Sequence, residues 1–162
     1  MDHLTFAQLL GNYGEFLGAI AVVVTLVYLT VQLRQNTSAL RSSTWQAIQN
    51  AEHAFDQSLA SNEDAAQLWV RGAANGLDSF DDPAERFRCF LIGKQIIDQF
   101  QNHHYQYERG LIDSELWQTW VSQFEDEIAN SPGFIDALKE RYPYLRPAFQ
   151  RFANQHGLNF RS

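Results

Sequence analysis

Residues 16–33 read FLGAIAVVVTLVYLTVQL, eighteen consecutive residues without a charge. At about 1.5 Å of rise per residue, a helix of that length reaches roughly 27 Å, enough to cross the hydrocarbon core of a bilayer with little tilt. The apolar residues go all the way round such a helix, whereas a surface helix of a soluble protein keeps them to one side. The run is β-branched, but it is too long for a strand. A transmembrane helix is the preferred reading. The competing one is a buried core helix, to which Thr25, Thr30 and Gln32 lend some weight.

Upstream, residues 1 to 15 carry Asp2 and Glu15 and no Lys or Arg, and the exit from the span reads YLTVQLRQN. A cleaved signal peptide would have a basic start and a small-residue cleavage site, so retention is expected. Arg34 and Arg41 follow the span closely, which by the positive-inside rule puts the N-terminus outside and the bulk of the chain in the cytoplasm. The leading HLTFAQLL segment is expected to form a separate interfacial helix, set off by a Gly11-Asn12-Tyr13-Gly14 breaker.

One side of the span differs from the rest. Gly11, Gly14, Gly18, Ala21, Thr25, Tyr28 and Gln32 recur at alternating spacings of three and four, small at first and more polar toward the cytoplasmic end. Leu17, Ile20, Val23, Val24, Leu26, Val27 and Val31 occupy the other sides and suit acyl chains. Small residues allow two backbones to approach closely, and Gln32 or Tyr28 can hydrogen-bond across a helix pair, so this face is the expected helix–helix contact.

Between Ala19 and Arg71 there is no Gly and no Pro, so the helix is free to continue past the span through Leu40, Trp45, Ala47, Ile48, Ala51, Phe55 and Leu59. Ser61-Asn62-Glu63-Asp64 then marks a stop and a new N-cap, and the helix that follows is expected to end at Gly72 and Gly76. Asp82, Pro83 and Glu85 open a long helix whose inner face reads Phe87, Phe90, Leu91, Ile97, Phe100, His104 and Tyr107, with Gly110 as its stop. Asp113 caps a helix carrying Leu116, Trp117, Trp120, Val121, Phe124 and Ile128. Ser131-Pro132 opens another through Phe134, Ile135 and Leu138, and Pro147 and Gly157 bracket a last one with Phe149 and Phe152. The fold class is therefore all-α: an N-terminal transmembrane helix in residues 1–33, continuing into a soluble bundle of about five further helices in residues 34–162.

The chemistry is sparse. A net charge of −7 with only 12 Lys and Arg leaves no basic stripe for phosphates, so nucleic acid is excluded as a partner. The single cysteine, Cys89, lies in an apolar helical stretch and reads as a buried small hydrophobe. His103, His104 and Glu108, with Asp98 upstream, form the one close set of metal-capable side chains. The Glu-x-x-His pairs of diiron bundles are missing, His104 falls on the aromatic face, and no metal or other cofactor is expected. His53 and His156 read as surface residues. Asp81-Asp82 reads as a helix cap and Glu125-Asp126-Glu127 as a solvated face, and no nucleophile elbow or phosphate loop is present.

The stretches GAIAVVVTLVYLTVQLRQNTSALRSST, FDDPAERFRCF and YERGLIDSELW resemble a widespread group of uncharacterised bacterial proteins with one N-terminal membrane helix and a helical domain. Toward the end, GFIDALKERYPYLRP stands where that group has a helix richer in Trp and Arg. The resemblance implies a bacterial inner-membrane location and this architecture, and it brings no activity, cofactor or catalytic residue. The function expected is non-enzymatic: an oligomeric scaffold or accessory subunit, in contact with lipid and with a second copy or another integral membrane protein. The alternatives are a tethered ligand or metal sensor built around His104, and a homo-oligomeric pore lined by Thr25, Tyr28 and Gln32.

Overall fold

A helix that meets no Gly or Pro for fifty residues has no local reason to end, and in the computed structural model the first helix, α1, runs unbroken over His3–Ala60. The structure describes the backbone of residues 3–157 and the side chains of residues 13–157. The expected breaker at Gly11 to Gly14 does not interrupt α1. Glycine within a helix costs about 1 kcal/mol relative to alanine, and adding residues to a formed helix is easy once nucleation is complete, so the turns on either side carry the helix through. Among the described residues the glycines with positive φ are Gly76, Gly110 and Gly157, none of them in α1.

Backbone packing divides the chain into two units, residues 1–42 and residues 43–162. In the first, every described side chain from Tyr13 to Ser42 is exposed, and α1 includes a stretch long and apolar enough to cross a membrane.

The second unit contains the last turns of α1 and five further helices: α2 (Glu63–Asn75), α3 (Pro83–Glu108), α4 (Ser114–Asn130), α5 (Pro132–Arg141) and α6 (Pro147–Gln155). Short 3-10 turns at Leu77–Ser79 and Tyr142–Tyr144 join neighbours, and there is no strand among the described residues. The starts are fixed by local chemistry. Side-chain oxygens of Asn62, Asp82, Asp113 and Ser131 accept from the backbone N–H groups of Ala65, Ala84, Leu116 and Phe134, donors that the first helical turn leaves unpaired. Gly76, Gly110 and Gly157 take up positive φ just past the ends of α2, α3 and α6.

The core is aromatic at its centre. Phe124, Phe134 and Phe149 are fully buried, and Phe100 meets Phe124 edge to face with centroids 5.1 Å apart. Ile97, Leu77, Leu138 and Cys89 close around them. Cys89 is fully buried, as its apolar context predicts.

Two further expectations are corrected. Gly72 does not end its helix: it is buried within α2, where a Cβ would collide with the Cys89 sulfur, and a Cβ on Gly133 would collide with the Gly72 carbonyl. Across α3, a Cβ on Gly93 would sit 2.8 Å from that of Ala137. These glycines bring α2, α3 and α5 together at backbone distance. That seam also sets the rotation of α3. Its buried line is Cys89, Gly93, Ile97, Phe100, His103 and His104, which leaves Phe87 and Leu91 exposed at 58% and 43%.

Candidate functional site

The predicted contact face of the span lies in the first unit. Gly14 and Gly18 have open space where a Cβ would be, so nothing among the described residues requires them to be small. Thr25 Oγ1 donates to the Ala21 carbonyl at 2.8 Å, and Thr30 Oγ1 to the Leu26 carbonyl at 2.8 Å. Gln32 Nε2 donates to Tyr28 Oη at 2.6 Å, one turn back along the same face. Within the chain Tyr28 and Gln32 bond each other, and the second amide hydrogen and the carbonyl of Gln32 remain as capacity for the helix expected on this face. Gly11 lies outside the residues whose side-chain surroundings are described.

In the second unit the three metal-capable residues are divided between two sides of α3. His103 stacks flat on Trp120, with centroids 3.9 Å apart and planes 17° from parallel, and its Nε2 lies 3.4 Å from Glu52 Oε1. His104 is turned toward Trp117, Phe149 and Phe152, with Nδ1 3.6 Å from Glu108 Oε2. Arg146 also reaches Glu108, at 3.5 Å, and lies over the Tyr105 ring. No group of three or more metal-capable side chains comes together among the described residues. His53 is exposed, but His156 is not a bare surface residue: its Nδ1 meets Glu125 at 2.7 Å and its ring packs on Phe152.

The His103 side opens into a cleft of about 390 Å³ lined by the last turns of α1 and by α2, α3 and α4. Phe55, Trp69, Phe100 and Trp120 supply its apolar wall, and Glu52, Asp56 and Glu127 its charge. No Lys or Arg is among the lining residues. His103 is 4% exposed, and burial pulls its pKa down to about 4, so the imidazole is neutral at pH 7. With the proton on Nε2, facing the Glu52 carboxylate, Nδ1 is left as a buried acceptor, and that atom has no hydrogen-bond partner. Burial first, then Asp56, pushes the Glu52 carboxyl above its ordinary value, against the opposing effects of His53 and of a 2.9 Å bond from Gln49. Glu127 is raised by burial and by Asp126. On the other side, burial lowers His104; Glu108 opposes that shift, and Arg146 and Arg151 add to it.

The cleft's carboxylates were legible only in part. Glu52 falls on the same helical line as Ile48, Phe55 and Leu59, an acid inside an apolar stripe, and that spacing is a signal for a half-buried group. Glu127 was hidden by its acidic neighbours. It lies seven residues after Trp120, on the buried side of α4, so the run Glu125-Asp126-Glu127 is not uniformly solvated. No protein-family model, curated protein or solved structure matches this chain.

Proposed function

We propose that the chain is a single-pass protein of the bacterial inner membrane, with its N-terminus outside and its helical domain in the cytoplasm, serving as a non-enzymatic scaffold or accessory subunit. One observation carries this: from Tyr13 to Leu33 every side chain is exposed, on every side of the helix, and most are apolar. Such a surface is far larger than a soluble monomer leaves in water, and a bilayer covers it on all sides at once. The Thr hydroxyls bonded to their own helix support the same solvent, because lipid offers them no partner. The orientation rests on Arg34 and Arg41.

Assembly through the small face is supported by Gly14 and Gly18, which weaken a helix without serving any contact among the described residues. The partner helix is a second copy or another membrane protein. Expressed in bacteria, the full chain is expected to stay with the membrane pellet after alkaline extraction; release into the supernatant would overturn the anchor. Cross-linking of the wild-type chain and of Gly18→Leu in those membranes tests the face: adducts are expected in the wild type and lost in the variant.

A further inference from the structure

The last turns of α1, residues 43–60, join the second unit differently from its other helices. α2, α3 and α5 meet at backbone distance along Gly72, Gly93 and Gly133, and α4 and α6 pack on α3 as well. The backbone of α1 packs extensively on none of them, and side chains hold it in place. Ile48 is 2% exposed and Phe55 8%, Leu59 is half-buried, and the Trp45 ring rests against Trp120 with centroids 6.3 Å apart. Between these contacts, the cleft of about 390 Å³ leaves the tail of α1 incompletely packed against Trp69, Ile96 and Trp120.

The same seam carries a group that opposes its closing. Ile48, Glu52, Phe55 and Leu59 recur at spacings of four, three and four, so they share one side of the helix, with an acid at the centre of the line. Glu52 faces His103 at 3.4 Å, and Asp56 and Glu127 line the same cleft with no Lys or Arg among them. Closing the seam therefore half-buries a carboxylate beside like charges, and burial, then Asp56, pushes its carboxyl above the ordinary value. A helix held by a few side chains belongs to the low-stability end of a fold, where opening precedes unfolding of the core. We infer that the tail of α1 is a releasable strap: it detaches from α2, α3 and α4 while the core they form with α5 and α6 stays closed, and the charge of Glu52 keeps it releasable. Release adds Trp69, Ile96 and the part of Trp120 against which Trp45 rests to the apolar surface of the domain.

The test is thiol labelling of the full chain under native conditions, in non-ionic detergent at pH 7. Ile48→Cys places a thiol in the strap, and Cys89, sealed between α2 and α3, reports openings of the core in the same molecule. With each rate divided by that of the same site in denaturant, and the sites resolved by mass spectrometry, the strap thiol is expected to react at least about tenfold faster than Cys89. Adding Gly133→Ala, which crowds the contact between α2 and α5, is expected to speed Cys89 by about tenfold or more and to leave the strap thiol within about twofold. Adding Glu52→Gln instead removes the charge while keeping an acceptor for His103, and is expected to slow the strap thiol about fivefold. Equal normalised rates at the two sites, acceleration of both by Gly133→Ala, or no slowing by Glu52→Gln would each overturn the assignment.

Discussion

The two units of this chain use apolar and polar residues in opposite ways. From Tyr13 to Ser42, apolar side chains are exposed on every side, and the polar ones within the span, Thr25, Thr30 and Gln32, bond within their own helix, four residues back. From Ser43 onward most apolar residues form stripes that are buried, and, beside many bonds within one turn, some polar groups reach far along the sequence. Asp136 accepts from the Leu77 N–H at 3.0 Å, Gln101 from the Arg146 N–H at 2.8 Å, and Asp98 from Arg141 at 3.0 Å. The first pattern suits a helix that must satisfy itself before it meets lipid; the second suits a core assembled from distant pieces in water. The same residue types are therefore used in two ways along one chain.

That contrast can be broken most directly at the aromatic centre. Phe124→Ala removes a ring in contact with Phe100, Phe134, Phe149 and Phe152, and is expected to destabilise the domain by about 4 kcal/mol. Denaturant titration of the full chain in detergent, followed by near-ultraviolet circular dichroism, measures it, and a loss below about 1 kcal/mol would contradict the packing described. Next in size is Gly133→Ala, whose new methyl meets the backbone of Gly72; an overpacking cost of about 2 to 3 kcal/mol is expected by the same titration.

Acid sharpens the comparison further, because the side-chain shifts described here all lie in the second unit. His103 is held near pKa 4 in the fold against 6.5 for the free side chain, so the unfolded chain takes up the proton first. The stability that its neutral form contributes is complete above pH 6.5 and is lost as pH falls toward 4. Glu52 and Glu127 act in the opposite sense: raised in the fold, they favour the folded state at low pH and oppose it as they ionise. Between pH 7 and pH 5, His103→Phe is expected to lose about 2 kcal/mol less stability than the wild type, and parallel titrations at the two pH values provide the check.

The smallest expected effect on the domain comes from the span. A Cβ at Gly18 meets open space among the described residues, and Gly18→Leu is expected to leave the domain's stability within about 0.5 kcal/mol of wild type. A large shift would mean that the first unit supports the fold of the second.

The helix boundaries were readable because capping is local: Asp82 with Pro83, Asp113, and Ser131 with Pro132 each act within one turn. The rotation of α3 was not. Phe87 and Leu91 on one side compete with Cys89, Gly93 and Ile97 on another, and the choice is made by Ala137 and Gly72, which approach from α5 and α2. The cleft stayed hidden for the same reason. His103 and His104 are neighbours in sequence, but which side of α3 each one serves depends on where Trp120 and Phe152 arrive from α4 and α6.

Cys89, wedged against Gly72 and sealed from water, is also the chain's only thiol. A thiol reagent has no other sulfur to attack, and it reaches this one only when the seam between α2 and α3 parts. The rate at which the native protein is labelled therefore counts the openings of its own core, so the wild-type sequence carries a clock for its breathing.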